Sequence, residues 1–518
     1  MSIQLYHLFA IYPIQENLVK YLSGDDLKAL SSLGGEYGNY YYQFYRKLVL
    51  PQYDDKICSK FRRIENLELT ESIQKESVPK ERLSVLLSLT LLHFDRNIIN
   101  LRECQRLEML RCQTIGNTSR EDFPLSLKRI HSSNINDATM NNFPASLEEI
   151  DISKCKTIST FNINHLLNLK KINCSESTIN DATINNFPES LEEIDLSWCY
   201  NISTFNINHL VNLQRINCSE STINDATINN FPASLEEIDI SKCKNISTFN
   251  INHLVNLKRI DCSGSTINDA TINNFPDSLE EIDLSWCYNI STFNINHLVN
   301  LKKINCSGST INDATINNFP DSLEEIDLSE CKNISTFNIN HLVNLKRIDC
   351  SGSTINDATI NNFPDSLEEI DLSWCDNIST FNINHLVNLK KINCSVSTIN
   401  DATINNFPDS LEEIDLSECK NISTFNINHL VNLKRIDCSG SNINDATINN
   451  FPDSLEEICI PVCKNISSFN INHLVNLKRI DCSGSTINDA TINNFPDSLE
   501  EIEWDSSIWP EVLILSYV

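Results

Sequence analysis

The stretch Leu191–Asn212 reads LEEIDLSWCYNISTFNINHLVN, and Leu213–Ser234 reads LQRINCSESTINDATINNFPAS. Together they make a 44-residue unit that recurs almost unchanged, marked by Leu147, Leu191, Leu235, Leu279, Leu323, Leu367, Leu411, Leu455 and Leu499. A fixed period of this size is the mark of a solenoid, in which each unit buries its apolar edge only against its neighbours. With Leu191 as position 1, Ile194, Leu196, Cys199 and Ile202 fall at positions 4, 6, 9 and 12. The second half places Leu213, Ile216, Cys218, Ser221 and Ile223 at positions 1, 4, 6, 9 and 11. Alternation over positions 3 to 6 predicts a short strand, with 4 and 6 inward and 3 and 5 on the open face. Asn224 and Asp225 are placed to cap a short helix. Phe205, Leu210, Ile228 and Phe231 are expected to fill the opposite half of the coil, and Pro232 falls where a missing N–H costs little.

Composition narrows the function classes. The chain has 518 residues and a formal charge of −29, which disfavours nucleic acid and anionic membrane surfaces as partners. No apolar run approaches the length of a membrane span. The segment MSIQLYHLFAIYPIQ lacks the basic start and small-residue cleavage site of an export signal. The 20 cysteines recur at two points of the motif. Cys155, Cys199, Cys243, Cys287, Cys331, Cys375, Cys419 and Cys463 hold one; Cys174, Cys218, Cys262, Cys306, Cys350, Cys394, Cys438 and Cys482 hold the other. Inward positions and the lack of any CxxC pair predict packed, reduced thiols and no zinc site. Such thiols and the missing signal predict a cytoplasmic or nuclear protein.

Charges on successive strands alternate. Glu192, Glu193 and Asp195 are followed one coil later by Gln214 and Arg215; Lys258 and Arg259 precede Glu280, which precedes Lys302. Stacked in register, they predict an ion-pair ladder. His165, His209, His253, His297, His341, His385, His429 and His473 recur once per unit. Two coils separate them by about 10 Å, too far for one metal ion, so they are expected to be structural. No metal, cofactor or catalytic residue is expected, because no GxSxG, P-loop, HExxH or GxGxxG element occurs.

The copies differ most at positions 8 and 10 of the acidic coils. Trp198, Tyr200, Trp286, Tyr288 and Trp374 form a broken aromatic line there, expected on an exposed rim. Exposed Trp and Tyr are frequent interface anchors. The other reading is that each indole lies flat over a glycine of a neighbouring coil, as Gly264, Gly308 and Gly352 share position 8 beside Trp286 and Trp374.

The motif resembles the leucine-rich repeat, LxxLxLxx(N/C)xL, in its cysteine-containing subtype, over roughly residues 107–518. The resemblance implies an α/β solenoid: a leucine-rich-repeat right-handed superhelix of about 18–19 coils with short parallel strands on the concave face. A small all-helical N-terminal cap or F-box-like domain would precede it. Residues 1–60 resemble an F-box (roughly LPxEILxxILxYLxxxDLxxLxxV) through Pro13, Glu16, Leu18, Tyr21, Leu22, Asp26, Leu27 and Leu30. Tyr41, Phe44, Tyr45, Leu48 and Leu50 suggest a further helix. The expected organisation is then an F-box-like domain (1–60) and a helical linker with irregular first coils (61–106). The repeat solenoid (107–498) and a C-terminal cap (499–518) follow. Within the linker a charged helix is expected over Glu71–Arg82 and irregular coils around Leu89 and Leu101, with 20-residue coils beginning at Leu107 and Leu127.

The resemblance implies a non-enzymatic substrate-recognition subunit of a cullin–RING (SCF-type) ubiquitin ligase. A Skp-type adaptor would dock on Pro13, Leu18, Tyr21, Leu22, Leu27 and Leu30, and a target protein on the solenoid. A repeat scaffold with no ligase link, or a secreted repeat adhesin using the N-x-S triplets, are the alternatives.

Overall fold

The computed structural model describes residues 28–29, 46–71, 78–96, 99–487 and 494–504. Pro13, Leu18, Tyr21, Leu22, Leu27 and Leu30, and the end of the C-terminal cap, lie outside them. The chain divides into two compact units, Met1–Leu235 and Glu236–Val518.

In the first unit nine strands are described. β1 (Lys47–Leu50), β2 (Asn66–Leu69), β3 (Ser88–Phe94), β4 (Met109–Ile115) and β5 (Arg129–Asn134) pair in parallel in chain order. β6 (Glu149–Asp151), β7 (Lys171–Asn173), β8 (Glu193–Asp195) and β9 (Arg215–Asn217) continue the sheet. Among the described residues the strand register therefore starts at Lys47. The sequence reading put a helix over Leu48 and Leu50 and irregular coils up to 106. Instead, Leu48 and Leu50 are buried between exposed Lys47 and Val49. That period-2 alternation belongs to a strand, and an apolar stripe only four residues long cannot separate the two periods. Leu89 is buried in β3, and Leu101 opens a short 3₁₀ turn, Leu101–Glu103. The helix expected from Glu71 is described only at Lys80–Leu83. The 20-residue coils are present, since Met109 pairs with Arg129, and Arg129 with Glu149.

The second unit holds thirteen described strands, from Glu237–Asp239 to Glu501–Glu503, each paired in parallel with the next. The register is the repeat itself: Ile282 faces Ile304, which faces Ile326. In each of these strands the central isoleucine is buried between two exposed or partly exposed residues, polar in all but Glu457–Cys459, as the alternation predicts.

The core is a stack of identical layers. Leu323, Ile326, Leu328, Cys331 and Ile334 are at most 2 % exposed, as are Phe337, Leu342 and Phe319 on the far side. Four-residue helical turns such as Asp313–Ile316 sit opposite the strands. The preceding asparagine caps each turn, Asn312 Oδ1 accepting the N–H of Ala314 and of Thr315.

The abundant Ser, Thr, Asn and Asp join one coil to the next. Asp313 Oδ1 accepts the Ser335 N–H at 2.8 Å, and its Oδ2 accepts the Ser335 hydroxyl and the Thr336 N–H. Buried Thr315 donates to the Ser291 carbonyl at 2.9 Å and accepts from the Phe293 N–H at 3.3 Å. Ser322 donates to the Leu301 carbonyl at 2.7 Å. Each hydroxyl or carboxylate therefore satisfies backbone groups that the short elements leave unpaired.

The histidines belong to this network. His341 Nε2 lies 3.0 Å from the Phe319 carbonyl and His385 Nε2 3.0 Å from the Phe363 carbonyl. A carbonyl only accepts, so Nε2 carries the proton. His341 and His385 are half-buried and spent on backbone, so they are structural, as expected.

None of the twenty cysteines is in a disulfide, and only Cys459 is more than minimally exposed. Burial pushes the Cys287, Cys331 and Cys375 thiols up to about 11 and that of Cys306 well above its ordinary value. Thiolate is the reactive form. The native protein is therefore expected to react slowly with a thiol reagent at pH 8, and to release all 20 equivalents once denatured. Rapid native labelling of many thiols would contradict this packing.

Candidate protein-binding rim on the strand face

The strand face carries two charged columns. At position 2 the ion pairs join Glu236 to Lys258 (2.7 Å), Glu280 to Lys302 (2.9 Å), Glu324 to Lys346 (3.0 Å) and Glu368 to Lys390 (2.5 Å). At position 3 they join Arg259 to Glu281 (3.5 Å), Lys303 to Glu325 (3.0 Å), Arg347 to Glu369 (3.8 Å) and Lys391 to Glu413 (3.1 Å). The columns are staggered, so each junction from the coil of Glu236 to that of Glu413 has one bridge, taken alternately from position 2 and position 3. The expected ladder is present in the first unit too, where Lys170 meets Glu192 (2.8 Å) and Lys171 meets Glu193 (2.7 Å). These groups are largely exposed, so solvent screens each pair and it contributes little to stability. Their main effect is to neutralise the basic residues and pin the register.

Position 5 is different. Its side chain closes the turn out of the strand: Asp327 Oδ1 accepts the Ser329 N–H and hydroxyl at 2.9 and 2.7 Å, and Asn305 Oδ1 accepts the Ser307 N–H at 2.9 Å. Where asparagine stands beside aspartate the column is satisfied, Asn305 donating to Asp283 (3.1 Å) and Asn393 to Asp371 (2.9 Å). Asp327, Asp349 and Asp371 face one another on successive strands, and of the three Asp371 is the one that receives an asparagine amide. Burial, then the neighbouring carboxylates, raise the Asp349 carboxyl above its ordinary value against the pull of its Ser351 hydrogen bonds. Asp437 is raised the same way, by burial and by Asp415.

A folded-state value above the unfolded one means the native state takes up the proton first. This part of the stability is therefore gained as pH falls through the raised value, and is complete below the unfolded carboxylate range. Asp349→Asn is expected to stabilise the protein at pH 7 by about 0.2–1 kcal/mol, because it removes a like-charge contact across neighbouring strands. It is also expected to flatten the acid side of the pH profile. Urea titration at pH 7 and pH 4 checks both effects.

In the first unit Asp151 shows the opposite shift. Burial raises it, but His131 at 2.6 Å and Ser153 outweigh that and bring it down to about 2.

Position 8 lies just past this turn. Every residue there, from Lys154 to Gly484, has a left-handed backbone. Five of the sixteen are glycine, while Trp198, Trp286 and Trp374 sit at φ 59°, 57° and 58° and Val396 at 56°. The conformation is held because the N–H continues the inter-coil bonding: Trp286 N donates to the Ser307 carbonyl (2.7 Å) and Val396 N to that of Ser417 (2.8 Å). A β-branched residue there is strained by roughly 1–2 kcal/mol. Val396→Gly is therefore expected to raise stability by about 1 kcal/mol after the larger entropy of the glycine chain is subtracted. A lowered denaturation midpoint would refute the strain.

The rim residues are placed as the sequence suggested. Trp198, Tyr200, Trp286, Tyr288 and Trp374 are 43, 59, 51, 63 and 64 % exposed. Trp198 meets Tyr200 edge-on at 6.4 Å, and Trp286 meets Tyr288 at 6.5 Å. The glycine-packing reading holds for one indole. A Cβ on Gly308 would come within 2.8 Å of Trp286 Cε3, so that ring lies against the glycine of the next coil yet keeps half its surface open. The corresponding neighbour of Trp374 is Val396, and Trp374 is the most exposed of the three tryptophans. A Cβ on Gly352 would instead meet the Glu330 carboxylate.

The recurring glycines of this column already signal a left-handed position. The sequence reading took them only as space. Among the described residues no group of His, Cys, Asp and Glu is placed to hold a metal ion, and no helix is long and apolar enough to cross a membrane.

No family model and no curated protein matches the sequence. Solved structures match the fold. YopM from Yersinia enterocolitica WA-314 is 17 % identical with a TM-score of 0.54, over 77 % of this chain and 87 % of that one. CroV588, described as a circular LRR protein, gives 14 % and 0.58 over 89 % and 75 %. The mouse RP105/MD-1 complex gives 16 % and 0.55 over 89 % and 90 %. At these identities the likeness establishes architecture alone: the chain folds as a leucine-rich-repeat solenoid.

Proposed function

We propose that the chain is a non-enzymatic protein-binding solenoid, acting as the substrate-recognition subunit of an SCF-type ubiquitin ligase. The observation that carries protein binding is the row of half-open Trp and Tyr side chains on the rim of the strand face. Large aromatics exposed beside a rigid sheet are efficient interface anchors. Protein partners are also in keeping with mouse RP105, a protein of this fold solved in a complex with MD-1. The ligase assignment rests on the F-box-like segment Pro13–Leu30, which precedes the first described strand at Lys47. The buried thiols, none of them in a disulfide, fit a reducing compartment, the cytoplasm or nucleus.

Co-elution of the full-length chain with a purified Skp-type adaptor tests the ligase role. A one-to-one complex that is lost in Leu27→Asp/Leu30→Asp is expected. Absence of any complex would leave a repeat scaffold without a ligase link. A deletion used for the same purpose must stop before Lys47, because cutting to residue 60 would remove β1 and the helix Asp55–Cys58.

A further inference from the structure

Resting on the reading of the rim as a protein-docking surface, we propose that the second unit binds a basic, extended peptide segment. Its cationic side chains stack on Trp286 and Trp374 and cover the carboxylates of Asp327, Asp349 and Asp371. Three observations select this occupant.

The first is charge. The strand-face lysines and arginines between the two indoles are already bridged to glutamates, as in Arg347–Glu369 and Lys346–Glu324. Position 5 then adds three carboxylates in register with no cation in their column. With a chain charge of −29, a phosphate backbone is repelled, whereas Lys or Arg relieves the carboxylate contact.

The second is the indoles. Each is half or more exposed in a backbone conformation that five sibling positions fill with glycine. An exposed indole face attracts a guanidinium by cation–π contact.

The third is spacing. Trp286 and Trp374 are 88 residues, four coils, apart, which is about 19 Å at the usual strand separation. Two shallow grooves on the strand face repeat at the same interval. One, of about 260 Å³, includes Asp283, Asp327 and Asp349; the other, of about 270 Å³, includes Asp371, Asp415 and Asp437. An extended chain rises about 3.3 Å per residue, so cations six residues apart span the two indoles. Those two and four residues along reach the carboxylates between.

The test is fluorescence anisotropy of the full-length chain with a labelled (Arg-Thr)₄ peptide and its citrulline counterpart, at about 50 mM salt, where screening is moderate. Saturable binding of the arginine peptide is expected, with the citrulline peptide at least about tenfold weaker and affinity falling as salt rises. Trp286→Gly/Trp374→Gly is expected to weaken binding about tenfold, and Asp349→Asn about threefold. Both place residues that the same columns already carry, Gly308 and Asn305, so the fold survives; thermal melts verify it. No saturable binding, equal binding of the citrulline peptide, or unchanged affinity in the double glycine variant would overturn the proposal. If the arginine peptide does not bind but the double variant loses proteins that the wild type captures from a cell lysate, the basic occupant falls and the docking rim stands. Loss of both refutes both.

Discussion

Phe319→Ala is expected to destabilise the second unit by about 3–5 kcal/mol, the range for removing a fully buried aromatic ring. The ring is 2 % exposed, and the Phe319 carbonyl is the acceptor for His341 of the next coil. Truncation therefore leaves a cavity in the layer and loosens the backbone that the neighbouring coil holds. In a solenoid the cost reaches beyond the site, because each coil is stable only through its two interfaces. A break in the middle of the stack is expected to divide the unfolding of the second unit into two steps, seen as a broadened or biphasic denaturation curve. The same truncation at Leu499, in the last described layer and 4 % exposed, is expected to lower stability without the second step. A single sharp transition for Phe319→Ala with an unchanged midpoint would show that the layers are not coupled in this way.

Thr359→Val is expected to cost about 1–3 kcal/mol although it is nearly isosteric, because the buried Phe337 N–H loses its acceptor while the Ser335 carbonyl keeps only the Asn356 N–H. The hydroxyl donates to the Ser335 carbonyl at 2.9 Å and accepts the Phe337 N–H at 3.3 Å, and the side chain is wholly buried. Thr359→Ser keeps the hydroxyl and loses one methyl, so about 1 kcal/mol is expected. Chemical denaturation of both variants separates the two causes. Equal losses would mean that packing, not the hydrogen bonds, is what Thr359 supplies. The comparison bears on the composition of the whole chain, since the same threonine recurs as Thr227, Thr271, Thr315, Thr403 and Thr447, each at most 1 % exposed.

Much of the site was legible from the repeat. The exposure of Trp198, Tyr200, Trp286, Tyr288 and Trp374 follows from their place beside an inward cysteine. The ion-pair ladder follows from alternating charge in register. The stagger between positions 2 and 3 was not legible, because Glu280 lies between two lysines, and which one it meets depends on how the side chains lean. The left-handed backbone at position 8 was written in Gly264, Gly308, Gly352, Gly440 and Gly484. It was masked by the Trp, Glu, Lys and Val that share the column.

The sequence alone determined the architecture, because a 22-residue apolar pattern repeated without a break permits only stacked, in-register coils. It also determined the fate of the thiols and histidines, whose fixed place in each coil sets their surroundings. Only the tertiary structure decided where the strands begin, since the four residues at Lys47–Leu50 carry too short a period to distinguish strand from helix. It alone decided which carboxylates face one another and how open each indole remains. Those properties come from contacts between successive coils, and a linear pattern records which residues meet but not how their side chains share the space.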